Sequence, residues 1–220
     1  TGGNAVSLCP RNEHAADELL QLIRGARHRL LLSVFSFEAD AAGERILVAM
    51  RERAASGVLV RMLVDGYGSM NFAAPGLKRL QAAGGRVARY RPLAHAGSMR
   101  GAFNYRNHRK MVIVDGAEAW IGGRNLASKY LATSPDGSHW TDLSLVVQGP
   151  AAAVFESVFR SDWLTATGET LPGEPARPAL VQVALAHPQR KGTRRPRAVV
   201  DERRSGHEVH HHADHLVRRQ

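Results

Sequence analysis

The 220-residue sequence lacks three features that define common classes of protein. It has a single cysteine, Cys9, which rules out an intramolecular disulfide and the disulfide scaffolds of small secreted domains. It has no apolar run of the roughly 18–20 residues that a transmembrane helix needs, and its longest run, around LLLSVFSF, has the length of a strand. It does not begin with Met, and we expect it to be part of a longer gene product.

Acidic residues are absent from residues 66–114, where nine lysines and arginines occur. The formal net charge is +10, and residues 186–220 contribute half of this excess. A basic field would concentrate an anionic substrate or surface, although a solvated basic face gives the same composition. Lipid headgroups and nucleic acids are both polyanions, so charge alone favours neither.

Apolar periodicity predicts a chain of alternating strands and helices up to about Trp163. The order of strand, helix, strand, helix and strand implies parallel crossovers, so we expect an α/β fold with a mixed, mostly parallel sheet flanked by helices on both faces. Asn12 is the predicted N-cap of the first helix, and Gly57 the predicted stop of the second. The predicted helices are 12–26, 41–56, 76–83 and a fourth that begins after Gly149-Pro150. The fourth helix has an apolar face formed by Val154, Phe155, Val158 and Phe159. The predicted strands are 29–37, 58–64, 86–90, 108–115, 117–121 and 140–147.

The composition changes after Gly173, where arginine, proline and histidine become frequent and apolar periodicity is poor. We therefore expect a globular domain over residues 1–175 and a disordered basic tail over residues 176–220. An alternative is that this tail is an out-of-frame start of a second half, beginning near LVQVAL. The tail also contains H-E-x-x-H at His207, Glu208 and His211, but a zinc site needs a packed helix and a third ligand, so we expect no zinc hydrolase there.

The residues that bear chemistry lie in one stretch, NYRNHRKMVIVDGAEAWIGGRN, over residues 104–125. His108 and Lys110 are two positions apart, and on a strand they would project to the same side. An imidazole can act as a nucleophile or acid–base near neutral pH, while an ammonium, an amide and backbone N–H groups can stabilise charge on phosphoryl oxygens. This combination suits phosphodiester chemistry without a metal, and we expect no cofactor.

The spacing H-x-K-x4-D-x6-G-G-x-N resembles the HKD motif of the phospholipase D superfamily. Further stretches (SFEAD, DGYGS, W-x-D and FRSDW) resemble the cardiolipin synthase branch, in particular its first half. The resemblance covers roughly residues 1–175 and implies phosphatidyl transfer through a phosphohistidine, with phosphatidylglycerol as the anionic phospholipid substrate. It also implies a peripheral position on the cytoplasmic side of a bacterial membrane.

The resemblance assigns roles to individual residues. His108 would be the nucleophile or its partner acid, Lys110 and Asn125 would hold phosphoryl oxygens, and Asp142 would orient and charge the imidazole. The remaining motif residues, Asp115, Gly122 and Gly123, are expected to be structural. Two basic residues near the histidine, Arg106 and Arg109, are expected to bind substrate. Asp115 has an odd offset from His108 and lies at the end of the predicted strand, which turns it away from the site.

The sequence departs from the family in carrying one HKD motif where the family's active site uses two. Either two chains pair as a homodimer, as single-motif members do, or a second half is missing. Three interpretations remain open: a cardiolipin synthase-like phosphatidyltransferase, a single-HKD nuclease acting on nucleic acid, and a catalytically incomplete fragment.

Overall fold

Seven strands form one sheet in the computed structural model of the chain, which describes residues 3–70, 75–92, 106–132 and 140–173. All of these residues belong to one compact unit, Thr1–Ala186. The elements are β1 (Ala5–Cys9), α1 (Asn12–Gly25), β2 (Arg29–Val34), α2 (Ala41–Ala55), β3 (Leu59–Asp65), α3 (Pro75–Ala82), β4 (Arg86–Tyr90), β5 (Met111–Val114), β6 (Glu118–Gly122), α4 (Ser128–Leu131), β7 (Ser144–Gln148) and α5 (Ala152–Thr167).

The strand order across the sheet is β1-β7-β6-β5-β2-β3-β4. The neighbours β2–β3 and β3–β4 are parallel, while the other four pairings of the described strands are antiparallel. The mixed sheet is therefore confirmed, but the expectation that it is mostly parallel was wrong. Strands that are covered on both faces have apolar sequences in parallel and in antiparallel pairs alike. The sequence pattern therefore did not reveal the direction of β5, β6 and β7.

Helices cover both faces of the sheet, as predicted. Along β2, Leu30 and Leu32 face one core with α1, α2 and α3, while Leu31 faces a second core with α5. This alternation follows from the two-residue repeat of a strand. The predicted apolar face of α5 was partly wrong: Val154 is 40% exposed, and Phe159 and Trp163 are the large side chains that α5 buries.

Several predicted boundaries shift in the structure. The edge strand β1 was not predicted, because most of its residues are not buried and its pattern is weak. Asn12 is not an N-cap, since Arg11 occupies that position and the buried Asn12 side chain makes tertiary contacts instead. The predicted tail, its H-E-x-x-H pattern and most of the predicted loop 91–107 lie outside the described residues.

The predicted turn between β5 and β6 is present at Asp115-Gly116. Asp115 has φ 54° and Gly116 has φ 68°, and the N–H of Ala117 donates to the carbonyl of Val114 at 3.0 Å. Two central residues with positive φ define the type I′ turn, whose twist matches that of a hairpin. None of the described helices is long and apolar enough to cross a membrane.

Candidate active site

One edge of the sheet collects the segments that carry the four predicted catalytic residues. β5 begins at this edge and β6 ends there, with Met111 opposite Ile121. β7 begins beside them, with Ser144 opposite Gly122. The segments with His108 and Lys110 (before β5), Asn125 (after β6) and Asp142 (before β7) therefore meet at this edge, which we call the motif edge.

His108 is exposed at the motif edge and stacks on Phe35. The two ring centroids are 4.1 Å apart and the ring planes differ by 12°. The prediction that the strand begins at His108 was wrong, because β5 begins at Met111 and residues 106–110 are irregular. The two motif residues are linked differently: Lys110 Nζ donates to the His108 carbonyl at 2.9 Å and lies 5.5 Å from the centre of the Phe35 ring, on which His108 stacks.

Lys110 combines partial burial with a nearby carboxylate. Burial lowers the pKa of the Lys110 ammonium, and the charge of Asp142 opposes this effect by raising the pKa. A partly desolvated ammonium interacts more strongly with an anion than one in open water. Lys110 is therefore suited to stabilising negative charge that develops on a phosphoryl oxygen.

Asp142 lies directly against Gly123. A methyl group at Gly123 would collide with both carboxylate oxygens of Asp142, so a larger residue there would displace this carboxylate. The Leu143 N–H donates to Asp142 Oδ1 at 2.7 Å, and the Gly123 N–H donates to the Leu143 carbonyl at 3.1 Å. Gly123 thus lets the two segments approach closely enough to hold Asp142 at the motif edge.

The orientation of the Asn125 amide is fixed by the segment that follows β2. Its Oδ1 accepts a hydrogen bond from the Ser36 N–H at 3.1 Å. The neighbouring backbone continues the contact, since the Leu126 N–H donates to the Ser36 carbonyl at 3.2 Å and the Glu38 N–H donates to the Leu126 carbonyl at 3.1 Å. Because Oδ1 is occupied, the Nδ2 end of the amide remains as the donor that a phosphoryl oxygen would use.

Asp115 lies at the opposite end of β5 from His108. Its Oδ1 accepts from the backbone N–H groups of His28 and Arg29, both at 2.8 Å, and its Oδ2 accepts from the N–H of Arg27 at 2.9 Å. Burial alone would raise the pKa of Asp115, but these three bonds outweigh it and lower the pKa. The contacts fasten the β5–β6 hairpin to the start of β2.

The loop that carries His108 is held from behind by Asn107, which is buried. The Asn107 N–H donates to Asp65 Oδ2 at 3.0 Å, and its Nδ2 donates to Asp162 Oδ2 at 2.9 Å. Its Oδ1 accepts from the Arg109 N–H at 3.0 Å. We call Asn107, Asp65 and Asp162 the loop clamp, because it ties the residues on both sides of His108 to β3 and α5.

The two arginines predicted to bind substrate are engaged with the loop clamp. Arg106 Nη1 lies 3.9 Å from Asp65 Oδ1, and only 7% of the Arg106 side chain is exposed. Arg109 Nη1 lies 3.1 Å from Asp162 Oδ2, and half of the Arg109 side chain is exposed. Burial raises the pKa of Asp162, and Arg109 and Asn107 oppose this. These contacts give Arg106 and Arg109 a supporting role, and substrate binding by them stays a prediction.

Arg124, inside the motif, is completely buried and was not predicted to matter. Its guanidinium donates to the carbonyls of Cys9 and Pro10 at 3.0 and 2.7 Å, to Asn12 Oδ1 at 3.0 Å and to Ser144 Oγ at 3.2 Å. These acceptors are neutral, so the positive charge of the Arg124 guanidinium is offset by groups that it does not contact. Burial lowers the pKa of Arg124, and the nearby charge of Asp142 raises it.

Sequence comparison shows the family to which the chain belongs. Residues 19–163 match the family described as "Cardiolipin synthase, PLD-like domain". The chain is 34% identical over 160 residues to cardiolipin synthase 1 of Bacillus anthracis, and 34% identical over 166 residues to cardiolipin synthase A of Pseudomonas aeruginosa (strain LESB58). These alignments cover 73% and 74% of this chain but 31% and 33% of the relatives, so the chain spans about a third of their length.

Structural comparison supports the fold assignment. Nuc from Salmonella typhimurium, a phospholipase D family member, aligns with a TM-score of 0.55 at 17% identity, over 76% of this chain and 97% of Nuc. Phosphatidylserine synthase from Haemophilus influenzae aligns with a TM-score of 0.55 at 15% identity, over 72% of this chain and 35% of that enzyme. At these identities the likeness concerns the fold alone.

Proposed function

The chain belongs to the phospholipase D-like domain family of cardiolipin synthases, and we propose that it supplies one half of a phosphatidyltransferase active site. The proposed substrate is an anionic phospholipid, phosphatidylglycerol. The observation that carries the proposal is the meeting of the segments with His108, Lys110, Asn125 and Asp142 at the motif edge. An imidazole, an ammonium, an amide and a carboxylate together supply a nucleophile and the groups that stabilise charge during metal-free transfer of a phosphodiester.

In the proposed reaction, an imidazole nitrogen of His108 attacks the phosphorus of the phosphodiester. A bond forms between this nitrogen and phosphorus, and the bond from phosphorus to the leaving glycerol oxygen breaks. The departing oxygen takes a proton from a second histidine. A glycerol hydroxyl of another phosphatidylglycerol then attacks the phosphorus, gives its proton back to that second histidine and releases the His108 imidazole.

The other residues of the motif edge have distinct proposed roles. The Lys110 ammonium and the Asn125 Nδ2 donate to the non-bridging oxygens, whose negative charge grows in the transition state. Asp142 balances the positive charge that the imidazole gains when it bonds to phosphorus. Removing one donor that stabilises such charge typically costs about 10²–10³-fold in kcat.

The second histidine must come from outside this chain's single motif. We propose that a homodimer partner or a missing second half supplies it, and that the domain acts peripherally at the cytoplasmic face of the cell membrane. A nuclease acting on nucleic acid is the second candidate function. The nine lysines and arginines over residues 66–114, where no acid occurs, support it, because nucleic acid is a polyanion.

The test is cardiolipin formation from labelled phosphatidylglycerol in liposomes, measured over a range of protein concentrations. Product from the unmodified chain that is lost in His108→Ala supports the proposal, and a rate that rises with the square of concentration supports the dimer. His14→Ala is the matched control, because His14 lies on α1 and pairs with Glu18 at 3.3 Å. Absence of product together with cleavage of DNA would favour the nuclease, and absence of both would favour an incomplete fragment.

A further inference from the structure

A cleft of about 450 Å³ opens between the segments that follow β2 and β3. It is lined by residues 36–39 and 67–70. Because β2 and β3 are parallel neighbours, both segments leave the sheet at the same edge. In open α/β sheets, ligands bind in the crevice outside the carboxyl ends of the parallel strands.

The cleft adjoins the motif edge through consecutive residues. Phe35, which stacks on His108, immediately precedes the first lining residue. That lining residue, Ser36, donates its N–H to Asn125 Oδ1 at 3.1 Å. A molecule bound by His108 and Asn125 could therefore extend directly into the cleft.

The walls of the cleft are bonded to one another. Ser69 Oγ donates to the Phe35 carbonyl at 3.0 Å and accepts from the Phe37 N–H at 3.1 Å. The Glu38 N–H is held by the Leu126 carbonyl at 3.1 Å. Such a wall is organised before a ligand arrives, which reduces the entropy lost on binding.

The cleft combines polar groups with apolar surface. The Ser36 hydroxyl makes no hydrogen bond within the part of the chain that the structure describes. The Glu38 carboxylate is 45% exposed and binds Lys129 through Oε1 at 2.6 Å. On the other segment, Tyr67 and Met70 are 48% and 51% exposed. A carboxylate and a hydroxyl can bind vicinal hydroxyls, while the apolar surface can contact the carbon chain that bears them.

We propose that this cleft binds the glycerol part of a glycerophosphate headgroup whose phosphate lies between His108, Lys110 and Asn125. The inference rests on the proposed function and adds the position of the headgroup. Glu38 and Lys129 offset each other's charge, so the pair adds no net positive charge for a second phosphate, and a neutral polyol fits the cleft better than a further anionic group. Ser36 and Glu38 thereby determine which alcohol lies beside the reacting phosphorus.

The experiment compares three probes binding to the full chain by calorimetry: inorganic phosphate, n-propyl phosphate and glycerol 1-phosphate. Propyl phosphate is the matched control because it has the same carbon chain without the two free hydroxyls. We expect glycerol 1-phosphate to bind about tenfold more tightly than propyl phosphate, as one or two added hydrogen bonds would give. Ser36→Ala and Glu38→Ala should each reduce this preference, and Lys129→Gln should retain it because the carboxylate remains.

The outcomes separate the inference from the proposed function. Equal binding of propyl and glycerol phosphates, or a preference that both Ser36→Ala and Glu38→Ala leave intact, would overturn the inference alone. Failure of all three probes to bind would overturn the phosphate site and the inference with it. The urea midpoint of each variant identifies any loss of binding that comes from unfolding.

Discussion

Replacement of Asp115 should destabilise the fold and leave the motif edge able to bind phosphate. Asp115→Ala removes three hydrogen bonds of 2.8–2.9 Å from backbone N–H groups to a carboxylate. Hydrogen bonds to a charged group contribute about 1.5–3 kcal/mol each, but water can replace part of this where the donors are exposed. Alanine at φ 54° adds about 1 kcal/mol of backbone strain. We expect the free energy of unfolding to fall by about 3–4 kcal/mol.

Asp115→Asn separates the contribution of charge from that of shape. Asparagine tolerates positive φ and keeps one acceptor oxygen, so we expect a loss of about 1–2 kcal/mol. The folded-state pKa of Asp115 is lowered from 3.8, so its stabilisation is present above pH 3.8 and is lost as the pH falls through the lower folded value. Asp115→Asn should therefore be less sensitive to acid below pH 3.8 than the unmodified chain.

Urea unfolding measured between pH 3 and pH 7 tests this prediction, with Glu118→Gln on the same hairpin as the control. Its bond from Gln148 Nε2 is long, at 3.4 Å, so little stability should be lost. A loss below about 1 kcal/mol in Asp115→Ala would refute the structural role. So would a folded Asp115→Asn protein that no longer binds phosphate.

Three further substitutions test the motif edge. Asn107→Ala removes the buried donor to Asp162 and loosens the loop around His108. We expect the free energy of unfolding to fall by about 2–4 kcal/mol in urea unfolding, and kcat to fall in the liposome assay. An unchanged kcat would argue against the loop clamp. Gly123→Ala should displace Asp142 and lower kcat at least tenfold, with a smaller effect on substrate KM. Gly25→Ala, at an open position without a positive φ, is the comparison, and equal losses in both would contradict the contact with Asp142. Lys110→Gln keeps a donor but removes the charge, so phosphate affinity and kcat should both fall, kcat by about 10²–10³-fold. Calorimetry and turnover at matched substrate concentration measure the two effects. A variant with unchanged affinity and kcat would show that Lys110 has no role in the site.

The sequence predicts the layers of helices and sheet better than it predicts which strands pair and in which direction. The periods of helices and strands predicted the three helix–strand pairs from α1 to β4, because amphipathic spacing reports burial directly. The direction of β5–β7 depends on which strands meet in space, which apolar runs do not reveal. The edge strand β1 buries few residues and so leaves a weak pattern.

The candidate site was predicted where side chains follow a fixed local spacing and missed where they act through tertiary contacts. The motif located His108, Lys110 and Asn125, and the hairpin turn located Asp115. The loop clamp joins Asn107 to Asp162 across 55 positions of sequence, so no local pattern marks it. Arg124 appeared to be an ordinary basic residue, although its position between Gly123 and Asn125 could have signalled a buried support for the motif.

The central claim is that His108 forms a covalent bond to phosphorus. The most direct measurement incubates the full chain with phosphatidylglycerol labelled at phosphorus, stops the reaction in alkali to preserve phosphohistidine, and maps the label by digestion. The account predicts label on His108 that disappears when unlabelled phosphatidylglycerol is added in excess. Label on another residue, or cardiolipin formed at an undiminished rate by His108→Ala, would contradict it.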